Sequence, residues 1–182
     1  MRRRLSLHVG AGAGRCINFF EKEFSQRRGD AENAEVLKVI CLTDVLMREI
    51  RSEGEKAYPD ECCGVLLGVL GETGDKTITQ ILPVLNEFSE GEQYHRFLIT
   101  PENMLVAEKK ARALKIDVLG FYHSHPDHPA RPSDYDREHA LPFYSYIITA
   151  VEKGTAKEIT SWVFKDDRSA FIAEDVIIGQ GD

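Results

Sequence analysis

The sequence is short of everything that would cross-link it, embed it in a bilayer or hold it on a polyanion. Four cysteines occur in 182 residues, none in a C-x-x-C pair. Two of them, Cys62 and Cys63, are adjacent, where a disulfide would strain the backbone between them. A disulfide scaffold is therefore excluded, and the expected compartment is the reducing cytoplasm. The longest apolar stretches, such as residues 62–70, fall far short of the roughly 20 residues of a membrane-spanning helix. No membrane association is expected. Basic residues are outnumbered, 23 against 30, for a net charge of -7. No basic stripe occurs beyond the N-terminal residues, so nucleic acid is not an expected partner. An apolar content of 42%, with only seven prolines and 14 glycines, also excludes a collagen-like or wholly disordered polymer.

What is present divides into an arm and a domain. Residues 1–35 differ from the rest: Arg2, Arg3, Arg4 and Arg15 precede any acid and surround a glycine-alanine stretch. Glycine density opposes an amphipathic presequence, and His8 breaks any signal-peptide core. The segment reads as a basic, flexible arm. Residues 36–182 read as one domain, a size that encloses a core.

Within it, residues 36–42 predict a strand, followed by a helix capped by Thr43 or Asp44 and stopped at Tyr58-Pro59. Val45, Leu46, Ile50 and Ala57 are its expected apolar face. The apolar run 63–70, a Gly-rich turn and residues 77–85 predict a hairpin. A short strand over 96–100 leads to a helix opened by Pro101, with Met104, Leu105, Ala107, Ala111 and Leu114 as its apolar stripe. Strands follow at 118–122, 144–151, 159–164 and 170–172. Strands mixed with two substantial helices predict an α/β or α+β domain.

The chemistry gathers in the segment 123–136. His123 and His125 are two apart at the end of a predicted strand, so both project to one side and can share a metal ion. Neutral imidazoles suit Zn2+, and Asp136, returned by the proline-rich loop, supplies a third ligand with a fourth position left for water. Ser133 fits two roles, the N-cap of a short helix holding Asp136 or a hydrogen-bond donor to a developing oxyanion. Glu61 precedes the apolar run at 63–70. Alone it would be a solvated surface acid, but beside a metal site it becomes a general base. His128 reads as a loop residue near a substrate entrance, His95 and His139 as surface or packing residues, and the Cys62 and Cys63 thiols as buried and inert. Trp162 and Phe164, at strand spacing, read as core.

Glu61 with His123-x-His125-x7-Ser133-x-x-Asp136, and the run Cys63-Gly64-Val65-Leu66-Leu67-Gly68 after the glutamate, resembles the JAMM (MPN-plus) zinc metalloproteases. The resemblance implies a cytidine deaminase-like α/β fold, with helices flanking a mixed sheet. It also implies His123, His125 and Asp136 as ligands of one Zn2+, Glu61 as base and Ser133 as oxyanion donor. The stretch from Tyr122 to Ser133 and Tyr144-Ser145-Tyr146 resemble the small prokaryotic branch. That branch implies an amide-bond hydrolase acting on the C-terminal tail of a ubiquitin-like or sulfur carrier protein, including release of cysteine. Two alternatives stand beside it: a non-catalytic scaffold of the same fold, and a metal-dependent hydrolase of a small molecule.

Overall fold

A computed structural model of the chain describes residues 39–180. The basic arm, Cys16 and the start of the first expected strand lie outside the described residues. Seven strands, β1 (Val39–Thr43), β2 (Cys63–Leu70), β3 (Lys76–Val84), β4 (Asp117–Pro126), β5 (Ser145–Glu152), β6 (Thr155–Phe164) and β7 (Phe171–Gly179), form one mixed sheet. Their order is β1-β3-β2-β4-β5-β6-β7, and β7 pairs back onto β1, so the sheet closes on itself. β1 runs parallel to β3 and β7, and β4 runs parallel to β5; the other neighbours are antiparallel. Among the described residues three helices accompany it: α1 (Asp44–Ala57), α2 (Pro101–Leu114) and the short α3 (Asp134–His139).

The mixed sheet with flanking helices is the expected architecture, and the β2–β3 hairpin is the expected one. β2 explains its own composition. Leu66 faces a cluster with Met47 and Ile50 of α1, whereas Val65 and Leu67 face one with Ala107 and Ala111 of α2. A strand covered on both faces needs apolar residues at every position rather than at alternate ones. Each fully buried Leu or Ile there contributes about 1.5–3 kcal/mol of transfer free energy. Gly64 in β2 has a steric reason: a Cβ there would meet the ring of buried Tyr122 at 2.3 Å. No helix of the described residues is long and apolar enough to cross a membrane.

Four expectations need correction. In α1, Thr43 is the cap, its Oγ1 accepting the Leu46 N–H, and the buried residues are Met47, Ile50 and Gly54. Val45 is 39% exposed, because five residues before Ile50 it sits about 140° away around the helix. α2 has Thr100 as cap and Pro101 in its first turn, as expected, and of its expected stripe Ala107 and Ala111 are buried and Met104 half-buried. Leu105 and Leu114 are exposed.

Residues 96–100 form no strand. The side chain of Asn86 takes the backbone groups that a ladder would have paired, receiving the Leu98 N–H and donating to the Arg96 carbonyl. β7 extends well past 172, to Gly179, through Glu174, whose carboxylate is buried and accepts the Ser161 hydroxyl at 2.7 Å.

Candidate metal centre

The centre forms where β4 ends. β4 continues four residues beyond the expected stop at 122, so both histidines are strand residues and alternate with buried Ser124. His123 and His125 therefore face the same way, as their spacing requires. Their Nε2 atoms lie 2.9 Å apart. The chain then reverses at Asp127, whose φ of 53° is in the left-handed region that Asp tolerates better than most residues. The proline-rich loop that follows brings the Pro129 carbonyl to 2.9 Å from His125 Nδ1. With a proton on that nitrogen, Nε2 keeps its lone pair for the centre.

Ser133 caps α3 and returns Asp136 to the histidines. The Asp136 N–H donates to Ser133 Oγ at 3.1 Å, while the Ser133 N–H and O–H both donate to Asp136 Oδ2 at 2.7 Å. This reciprocal box holds the carboxylate with Oδ1 3.4 Å from His123 Nε2 and Oδ2 3.6 Å from His125 Nε2. All three residues are buried, with their donor atoms within 4.8 Å of one another.

This set fits a zinc ion. A tetrahedral site with ligands at about 2.0–2.1 Å separates its donors by about 3.3 Å, and the spacings here are 2.9, 3.4 and 3.6 Å. Two imidazoles and a carboxylate leave one position open, the pattern of a catalytic rather than a structural site. His123 Nδ1 is buried without a hydrogen-bond partner. Its ring lies instead against Phe97, with centroids 4.5 Å apart and planes at 27°.

Electrostatics set the protonation states. Burial disfavours a charge on His123, and this outweighs the pull of Asp136, so the imidazole is neutral and available as a ligand. Burial alone would raise Asp136, but His123, His125 and the Ser133 N–H together hold its carboxyl well below the usual range. Glu61 is only 5% exposed, and burial, reinforced by the charge of Asp136, pushes its pKa up to about 9. The glutamate expected at the mouth of β2 is thus a buried acid within the electrostatic reach of the donor cluster.

The remaining expectations sort cleanly. His128 is exposed and outside the donor cluster. His139 is exposed and stacks on Tyr135, and half-buried His95 packs on Tyr94. Cys62 and Cys63 are buried, which raises their thiols to about 11 and about 12 and leaves them protonated. Phe164 is core, whereas Trp162 is half-buried and packs at the edge of two clusters.

Sequence reasoning missed the wall of the site. Phe97 covers His123, and Arg96 lies over the rings of both Phe88 and Tyr135, the latter adjacent to Asp136. Residues 85–95 have neither helical nor alternating periodicity, and the strand expected over 96–100 gave no sign that Arg96 and Phe97 face the site.

Residues 43–165, which include all five site residues, match a family described as prokaryotic homologs of the JAB domain. Over 125 residues the chain is 32% identical to a desampylase of Haloferax volcanii, a match spanning 68% of this chain and 86% of that one. The solution structure of a Desulfitobacterium hafniense protein superposes with a TM-score of 0.68 at 30% identity, covering 78% of this chain and 94% of the other. A Salinibacter ruber protein, also solved in solution, gives a TM-score of 0.61 at 37% identity, covering 76% and 90%.

Proposed function

The chain belongs to the prokaryotic JAB-domain family, and from that premise we propose that it is a zinc-dependent hydrolase of amide or isopeptide bonds at the C-terminal tail of a ubiquitin-like or sulfur carrier protein. The observation that carries this reading is the convergence of three buried donors, His123, His125 and Asp136, beside a buried glutamate. The relative named desampylase supports the substrate class. Buried, protonated thiols at Cys62 and Cys63 suit work in the reducing cytoplasm.

His123, His125 and Asp136 would hold the ion, with His125 fixed in one tautomer by the Pro129 carbonyl. When bound, zinc supplies Lewis acidity, which acidifies water and polarises a carbonyl oxygen. Glu61 accepts the proton of the attacking water and delivers it to the leaving amine. Burial raises its proton affinity, and it acts as a base in the carboxylate form, which a cation held by the neighbouring donors would favour. The Ser133 hydroxyl, at the start of α3, has one proton to give, and turns it from Asp136 Oδ2 to the oxygen of the scissile carbonyl as negative charge develops there. Phe97, stacked on His123, covers that imidazole on one side.

The deciding experiment incubates the zinc-loaded chain with carrier proteins ending in Gly-Gly, extended by cysteine, by a short peptide or by a lysine-linked protein. Intact masses of the products identify the bond cut. Release of the extension, abolished by a chelator, is expected. Carriers left whole, or cleavage equally fast in chelator, would overturn the reading.

A further inference from the structure

Glu61 does not hold its own place. Its N–H donates to the Gln93 carbonyl at 2.8 Å, and its carbonyl accepts from Asn86 Nδ2 at 3.0 Å. Both backbone groups of the proposed base are therefore bonded to residues 86–93, outside the JAMM-like motif. Asn86 uses the full hydrogen-bonding capacity of its amide. Nδ2 also donates to the Arg96 carbonyl at 2.9 Å, and Oδ1 accepts the N–H groups of Phe88 at 3.1 Å and Leu98 at 3.3 Å. Gln93 closes the loop by donating from Nε2 to the carbonyls of Asn86 and Phe88.

The same segment also reaches His123 and the helix that carries Asp136. Arg96, whose carbonyl Asn86 holds, spans the rings of Phe88 and Tyr135 and bonds Glu92. Phe97, the next residue, stacks on His123. One amide side chain thus stands between the backbone of Glu61, the cover of His123 and the helix that carries Asp136.

We infer that Asn86 is a positioning residue, setting Glu61 in register with the His123–His125–Asp136 cluster through the segment it organises. The inference rests on the proposed role of Glu61 as base. Two acceptors and two donors on one planar group fix distances that a periodic ladder would otherwise fix, and segment 85–98 has no ladder. A base displaced by about 1 Å loses on the order of a hundredfold in rate without losing the substrate.

Asn86→Asp is the sharpest test, because it keeps the shape and both acceptor bonds but replaces the nitrogen that donates to the Glu61 and Arg96 carbonyls with an oxygen. In the zinc-loaded full chain, kcat should fall about 10- to 100-fold, with KM within about twofold of wild type and zinc content unchanged. Hydrogen exchange at the Glu61 amide should quicken about tenfold, with or without zinc, while the amides of β4 stay protected. Asn86→Ala should add faster exchange at Phe88 and Leu98; if it fails to fold, the aspartate variant decides. Unchanged exchange at Glu61, unchanged kcat, or a raised KM at constant kcat would each overturn the inference. If the wild type cleaves none of the carriers, the hydrolase reading fails, and exchange at Glu61 still decides whether Asn86 holds it.

Discussion

The hydroxyl of Ser124 accepts the backbone N–H of Cys62 at 2.9 Å, joining the residue between the two imidazoles to the residue after Glu61. The β2–β4 ladder ends at the pair Cys63 and His123. One side-chain bond, with the Ser124 N–H donating to the Cys62 carbonyl at 3.2 Å, carries the pairing one step further. Ser124 is fully buried, so Ser124→Ala leaves the Cys62 N–H without a partner and without water. The expected cost is about 1–3 kcal/mol, read from urea unfolding. Turnover should fall as well, because Glu61 immediately precedes Cys62. A variant as stable as wild type would show that this bond contributes nothing to the joint.

Metal removal should act on stability through mass action. A ligand that binds only the folded chain stabilises it by about 4 kcal/mol at a free concentration a thousandfold above Kd. Chelator should therefore lower the melting temperature of the zinc-loaded chain. His123→Ala and Asp136→Ala should bind no zinc and melt alike with or without chelator. Elemental analysis is expected to find about one zinc per chain, as a single three-ligand site implies. Zinc retained by either variant would mean that the ion sits elsewhere.

The donor set was legible because it rests on short-range rules. Two residues apart on a strand is one side, and Ser133 three before Asp136 is a capping box, so His123, His125, Ser133 and Asp136 could be assembled from spacing alone. Glu61 could be read only conditionally, as a base if a metal site lay beside it, since its backbone is held by Asn86 and Gln93, in a segment that no periodicity reveals. The failed strand over 96–100 has the same origin: Asn86 satisfies an extended backbone that looked as if it needed a partner strand. β7 runs past the expected end at 172 through two acids, Glu174 and Asp175, the first of them buried against Ser161. Long-range side-chain bonds, rather than propensity, decided each of these.

Glu61 should leave a signature in the pH dependence of zinc-free stability. Its folded pKa, raised to about 9, exceeds the ordinary 4.5, so the folded state holds a proton that the unfolded state releases. The stability this gives is fully present below pH 4.5 and is lost as pH rises toward 9. Glu61→Gln, which cannot ionise, should gain on wild type across that window and run parallel to it beyond. His123 and Asp136 titrate in both proteins, so the difference isolates Glu61. Urea unfolding in chelator at several pH values measures it, and zinc should narrow the gap by placing positive charge beside the carboxylate. A difference independent of pH would mean that Glu61 ionises like a surface acid.

Ser133 performs one structural task visibly, and the proposal gives it a second, so the two need variants that separate them. Its Oγ accepts the Asp136 N–H as the cap of α3, and its O–H donates to Asp136 Oδ2 at 2.7 Å. Ser133→Ala removes both and should cost about 1 kcal/mol together with turnover. Glycine is tolerated at a cap for a few tenths of a kcal/mol, so Ser133→Gly should keep most of the stability while losing the hydroxyl. Ser133→Thr retains both functions. If the hydroxyl donates to the developing oxyanion, the glycine variant should be nearly as stable as wild type with kcat lowered about 10²- to 10³-fold, and threonine should restore much of the rate. Denaturant midpoints and kcat measured on the same preparations give both readings. A glycine variant whose turnover tracks its small loss of stability would assign Ser133 to the cap alone.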